Sequence, residues 1–291
     1  MDWHEDNLQQ LAAHPCCGYD CDRSASEPTA LTALALIAGG RRDEAREATD
    51  WLASLQDENG AIGVRRDEPT PRWPTSLAVL AWLKSAAQPE MNGLYRSSVE
   101  RGLAWILSQR GKTRSRTKAA SHDPTLVAWP WVEGTHSWIE PTALHVLALK
   151  MAGYTAHPRV REAVRMLIDR QIPSGGCNYG NTTILGQQLR PHLQPTGVAL
   201  LALAGESYRH GRIQRSVGYL QDNVSRDTST VSLCWALLGL SAHGRATPAA
   251  EDWLRARYRS GGMKGLSPLK RALIALAVQG AEILLPSPVR A

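Results

Sequence analysis

The chain has 291 residues and a formal net charge of +6, modestly basic, which suits an anionic ligand without requiring one and gives no reason to expect nucleic acid. Five cysteines, Cys16 and Cys17 adjacent among them, argue for reduced thiols and against a secreted disulfide framework. No apolar run is long enough to span a bilayer and no basic-then-apolar leader opens the chain, so a cytoplasmic protein without a transmembrane segment is expected.

In chain order, an amphipathic helix is predicted first, DWHEDNLQQLAA from Asp2 to Ala13. An apolar line follows, EPTALTALAL from Glu27 to Leu36, then an amphipathic stretch from Asp43 to Gln56. The apolar line returns as WPTSLAVLAWL from Trp73, as EPTALHVLAL from Glu140, as QPTGVALLAL from Gln194, as TSTVSLCWALLGL from Thr228 and as SPLKRALIAL from Ser267. Amphipathic stretches separate these lines at Tyr95 to Gln109, Pro158 to Gln171, Arg209 to Gln221 and Pro248 to Tyr258. In the third amphipathic stretch after the first apolar line, charged residues such as Arg161 and Asp169 alternate with a stripe of Val160, Val164, Leu167 and Ile168, which marks one solvated face.

Four of the six apolar lines open on Pro-Thr. Proline suits a helix start, because its missing N–H would be unpaired there anyway. A helix apolar all round is buried on most sides. Six apolar and six amphipathic helices therefore predict an all-α fold, an (α/α)6 toroid of inner and outer helices. The N-terminal helix would close the ring against the C-terminal one, making residues 1–291 a single domain. A linear solenoid is the competing geometry.

The amphipathic helices also carry a spacing: Trp51-Leu52, Gln56, Gly60, then Met166-Leu167, Gln171, Gly175-Gly176, and, with the glutamine lost, Trp253-Leu254, Tyr258, Gly262. This resembles the prenyltransferase and squalene oxidase repeat superfamily over most of the chain. The resemblance implies an α/α toroid and, in its central cavity, an isoprenoid or similar small apolar or diphosphate-bearing ligand. Turnover by a cyclase or prenyl transferase is implied for some members, and others are not enzymes. The chain departs from the cyclases in length, sufficient for one toroid only, and in their Asp-x-Asp-Asp acid motif, whose nearest counterpart is Asp20-Cys21-Asp22-Arg23. Ile62 and Asn178 stand where the cyclase repeat closes on tryptophan.

Inner helices of such a ring run in one direction, so their N-termini and the residues before them should line one mouth. Glu27, Trp73, Glu140 and Gln194 occupy those cap positions, where Ser, Thr, Asp and Asn are the favoured types. A glutamate there either complements the helix dipole or serves a ligand. Two long loops, 111–139 and 172–194, precede the third and fourth inner helices and should lie over the same mouth. The first carries Trp129, Trp131, Glu133, His136 and Trp138 after a basic run from Arg110 to Lys118. The second carries Asn178, Tyr179, Gln188, Arg190 and His192. All of these, with Trp73 and Gln194, are candidate substrate-binding residues; basic runs such as the one before them are mostly solvated surface, though beside a cavity mouth this one could meet a diphosphate.

Glu140, Asp22 and Asp20 are the candidate catalytic acids; the resemblance implies that tryptophan faces would steady a carbocation. His14, Cys16, Cys17 and Cys21 are residue types that zinc prefers, but they lack paired Cys-x-x-Cys spacing, so no metal or other cofactor is required and a divalent ion is only an option. The rival expectation is a carbohydrate-active toroid, a glycoside hydrolase or lyase, with Glu133 and Glu140 beside three tryptophans. A lipid- or peptide-binding module without catalysis, and a partner subunit completing the site, are left open.

Overall fold

The structure is a computed structural model that describes residues 2–20, 23–87, 93–116, 121–206, 211–261 and 265–286. Cys21, Asp22, residues 117–118 of the basic run and Gly262 lie outside the described residues.

Two kinds of helix alternate along the chain. The apolar kind comprises α2 (Ser26–Ala38), α4 (Thr75–Ala86), α6 (Ile139–Met151), α8 (Leu193–Ala202), α10 (Thr230–Ser241) and α12 (Pro268–Gln279). The amphipathic kind comprises α1 (Trp3–Ala12), α3 (Arg42–Ala53), α5 (Arg96–Ser108), α7 (Pro158–Asp169), α9 (Arg212–Asn223) and α11 (Ala250–Arg259). Burial follows composition: every residue of α6 from Ile139 to Lys150 is buried, whereas α7 buries mainly the stripe through Val160, Val164 and Leu167. Strand is confined, among the described residues, to a hairpin of β1 (Thr183–Ile184) and β2 (Gln187–Gln188).

The helices gather into two compact units, one of Met1–Ser108 with Pro248–Leu284, the other of Gln109–Thr247 with the chain from Leu285. In the first unit α2 packs on α3, α4 and α12, and α1 lies against α11 and α12. Asn7 Nδ2 donates to Arg271 O at 3.0 Å and Gln10 Nε2 to Tyr258 Oη at 2.8 Å, so the N-terminal helix does lie against the last apolar helix. In the second unit α8 is central, packing on α6 and α10, with α7 on α6 and α9 on α8 and α10.

The Pro-Thr repeat has a structural cause in both units. Proline sits at the helix start, and the threonine beside it turns its hydroxyl onto the chain arriving from the preceding outer helix. Thr29, Thr75, Thr142 and Thr196 accept from the N–H of Cys17, Ile62, Trp129 and Cys177 at 3.1, 2.9, 3.2 and 2.9 Å. All four threonines are fully buried, so each satisfies a backbone donor that would otherwise be stranded. The same correspondence puts Cys177, not Asn178, in register with Ile62: the hydroxyl that meets Ile62 in one copy meets Cys177 in the other.

The Gln-x-x-x-Gly spacing ties one outer helix to the next. Gln56 Nε2 donates to Gly60 O and to Ser98 O on α5, both at 2.9 Å. Gln171 Oε1 accepts from Ser216 Oγ on α9 at 2.8 Å. The glycines have positive φ, +88° at Gly60 and +109° at Gly175, and each presses on a carbonyl of that next helix, Arg101 O or Arg215 O.

Candidate functional site

Within the second unit the loops 111–139 and 172–194 pack on each other. Ile139 N donates to Tyr179 O at 2.9 Å, the hydroxyls of Ser121 and Thr182 meet at 2.6 Å, and Arg170 bridges the loops, donating from Nη1 to Gly180 O at 2.6 Å and from Nη2 to Asp123 O at 3.5 Å. The first loop folds back on itself through Gly111 N to Ala128 O and Trp138 N to Trp129 O. Gly180 packs against the Trp138 indole, where a Cβ would come within 2.8 Å of Cε3.

Three inner helices, α2, α6 and α8, begin two residues before their prolines. The residues capping α6 and α8 are Trp138 and His192, both extended and without a side-chain cap bond, while Ala25 caps α2 and Pro74 caps α4. Glu140, Gln194 and Glu27 are therefore first-turn residues, not caps, and Trp73 stands one residue outside. The physical reason is that several first-turn N–H groups lack intrahelical partners, so proline is accepted at the third position as well as the first.

This shift brings Glu140 and Gln194 face to face from neighbouring helices. Gln194 Nε2 donates to Glu140 Oε1 at 2.7 Å. Glu140 is only 7% exposed, and burial pushes its carboxyl above the usual range against the opposing pull of the Gln194 amide. Gln194 in turn lines a cavity of about 290 Å³ with Tyr179, His192, Tyr219, Ser229 and Ser232. The Tyr179 and His192 rings lie 5.2 Å apart, and Tyr219 Oη donates to Pro191 O at 2.9 Å. Tyr219 and Ser232 escape sequence reasoning because they read as ordinary positions on α9 and α10; the Ser229-Thr230 variant of the Pro-Thr repeat is the one signal that points to this wall.

A second cavity of about 380 Å³ has Gly180 and Trp138 in its wall. Lys112, Arg114, His122, His136 and Arg170 line it, with Ser137, Asn181 and Leu126 between them. His136 Nδ1 is 3.0 Å from Lys112 O. Burial pulls His122 below its ordinary value, and neighbouring Arg170 adds to this. His122 and Arg170 are outside the sequence expectation; Lys112 and Arg114 belong to its basic run.

Other candidates are placed elsewhere. Trp129 is fully buried, with the His145 ring stacked on it at 5.4 Å and the Arg159 guanidinium 4.6 Å from its centre, and presents no surface to a ligand. Trp131 is half-buried and Glu133 exposed, near the turn at Gly134. Gln188 and Arg190 are exposed in and beyond the hairpin, and Asn178 Nδ2 holds Arg190 O at 2.7 Å. Trp73, Asp20, His14, Cys16 and Cys17 belong to the first unit. Asp20 and His14 are exposed. Burial pushes the thiols of Cys16 and Cys17 up to about 12 and about 11, and Cys17 Sγ lies 3.2 Å from Thr32 Oγ1. Among the described residues no three His, Cys, Asp or Glu side chains gather as a metal site.

No protein-family model and no curated protein matches the chain. Solved structures do. A novel alpha-amylase from Clostridium perfringens is 12% identical with a TM-score of 0.65, over 95% of this chain and 97% of that one. An inactive variant of an alpha-1,6-mannanase of Salegentibacter sp., in complex with alpha-1,6-mannotriose, is 12% identical with a TM-score of 0.61, over 97% and 99%. A protein from Actinoplanes is 15% identical with a TM-score of 0.53, over 87% and 78%. The likeness shows the fold, an all-α toroid of paired helices.

Two of these three neighbours are glycosidases and neither is a triterpene cyclase or prenyltransferase, which overturns the isoprenoid reading and, with it, the apolar or diphosphate-bearing ligand. Gln-x-x-x-Gly misleads because it answers a demand of helix pairing, as the bonds of Gln56 show, and carries no information about a ligand. No helix among the described residues is long and apolar enough to cross a membrane.

Proposed function

We propose that the second unit binds an oligosaccharide along the cavity of Tyr179, His192, Gln194, Tyr219 and Ser229, and that Glu140 donates the proton to the leaving oxygen of a glycosidic bond. The observation that carries this is the Glu140–Gln194 pair. A carboxyl that burial keeps protonated above the usual range is what a general acid for glycoside cleavage requires, and the amide orients it. The cavity supplies aromatic edges and hydroxyls, the mixture that meets the apolar and hydroxyl faces of a sugar. The glycosidase neighbours support the same choice among toroid chemistries.

A second reading, glycan binding without turnover, is favoured by one observation. Hydrolysis of either stereochemistry uses a second carboxylate about 5–10 Å from the first, and neither cavity lining contains an Asp or Glu. The free thiols of Cys16, Cys17, Cys177 and Cys234 support a reducing compartment, the cytoplasm, for either reading.

Calorimetric titration with a panel of neutral and acidic oligosaccharides tests the binding that both readings share. Wild type should bind at least one of them, and Tyr179→Ala and Gln194→Ala should each weaken it by about tenfold, the equivalent of one lost hydrogen-bonded or stacked contact. Heats of dilution alone across the panel contradict both readings.

A further inference from the structure

The cavity walled by Trp138 differs in charge from the one beside Gln194. Three permanent cations, Lys112, Arg114 and Arg170, line it together with His122 and His136, and no carboxylate does. The nearest acidic groups belong to a neighbouring hollow and are engaged there. Asp169 Oδ2 is 3.7 Å from Arg170 Nε and accepts from Asp123 N, and Asp123 lies 4.0 Å from Arg116. Among the described residues neither Lys112 nor Arg114 pairs with a carboxylate. Arg170 has only 8% of its side chain exposed, and its Nη1 is fixed on Gly180 O, so the cationic wall is rigid at its base and adjustable at its rim.

The volume of about 380 Å³ is enough for a single sugar unit, and Trp138 gives it one apolar wall. Trp138 also caps the helix that carries Glu140.

We propose that this cavity is a subsite for an acidic sugar, a unit bearing a carboxylate or a sulfate, whose anion is held by Lys112 and Arg114 above Arg170. The proposal rests on the oligosaccharide reading of the neighbouring cavity and deepens it: the substrate is an anionic glycan, not a neutral one. Lys112 and Arg114, two cations without a matching carboxylate, favour an anion in the cavity, and the Arg114 guanidinium suits a planar carboxylate or a sulfate edge.

The test is calorimetric titration of the full chain with three oligosaccharides of equal length: a neutral hexose oligomer, a uronic acid oligomer and a sulfated oligomer. Wild type should bind one acidic oligomer about tenfold or more tighter than the neutral one at low salt, with the preference shrinking as salt rises. The uronate and sulfate titrations identify which anion it is. Lys112→Ala with Arg114→Ala, both on exposed side chains, should bring the acidic oligomer down to the neutral affinity, with an unchanged thermal unfolding curve as the folding control. Equal affinity for neutral and acidic oligomers overturns the anionic subsite and leaves the oligosaccharide reading standing. A preference that survives the double variant overturns the assignment to this cavity. No binding of any oligomer overturns both.

Discussion

Gln194 Nε2 lies 2.7 Å from Glu140 Oε1, joining the first turns of α8 and α6 through the two residues that precede Pro195 and Pro141 in the repeat. The repeat that builds the fold thus also builds the candidate site, since equivalent positions of successive copies meet side by side.

The pair makes stability depend on pH with a defined sign. Burial holds the Glu140 carboxyl above its ordinary value, so across that window the native state keeps a proton the unfolded chain has released. Stability is then full below the ordinary glutamate value of about 4.3 and falls as pH rises toward the raised one. Glu140→Gln removes the titration. Urea midpoints of wild type and variant, compared at several pH values, should shift in favour of the variant as pH rises; a gap that stays constant contradicts a raised carboxyl.

The threonine clamps carry local stability. Thr142→Val and Thr196→Val keep shape but strand the buried N–H of Trp129 or Cys177, at a cost of about 1–3 kcal/mol each. Serine at either site should recover most of that in chemical denaturation, because it restores the acceptor. Valine variants as stable as wild type would mean the clamp is dispensable.

Gly175 is fixed both by conformation and by space. Its φ is +109°, and a Cβ would sit 2.4 Å from Arg215 O on α9, whereas Gly153, with φ of +87°, has nothing within 4 Å. Gly153→Ala should cost about 1 kcal/mol, the left-handed penalty alone. Gly175→Ala adds a backbone clash and should cost roughly 2–4 kcal/mol. Thermal melts of the two variants separate the contributions.

Lys150 and Glu206 form a buried ion pair in the second unit, Nζ to Oε1 at 2.8 Å with 5% and 8% of the side chains exposed. Lys150 also donates to Ala202 O, and Arg161 reaches Glu206 from outside. Glu206→Gln leaves an ammonium without its partner and should destabilise by about 3–5 kcal/mol, while Lys150→Met with Glu206→Leu should lie close to wild type. Equilibrium unfolding of the three proteins checks the order.

The helices were legible in the sequence because proline, the Pro-Thr lines and all-round apolar composition agree; α12 begins at Pro268, the proline of its line. Helix starts were less so, since proline at the third position leaves the first residues, Ile139 and Glu140, looking like loop. Glu140, Gln194, Tyr179 and His192 are candidates already in the sequence because an odd residue before a repeated proline and a polar loop stand out against the pattern. Trp129 could not be told from a lining residue, because its partners, His145 on α6 and Arg159 on α7, are brought together only by packing. The chemistry was hidden for a related reason: the spacing that resembles one superfamily is imposed by how outer helices pair in this fold.

The most direct test of the account is the release of new reducing ends from soluble neutral and acidic oligosaccharides by wild type and by Glu140→Gln, with both proteins checked to bind the same oligosaccharide. The account predicts release by wild type and a loss of roughly a hundredfold or more in the variant, the usual scale for removing a general acid. Release that is undiminished in Glu140→Gln would contradict the role given to Glu140, and tight binding with no release by either protein would make the chain a glycan-binding toroid.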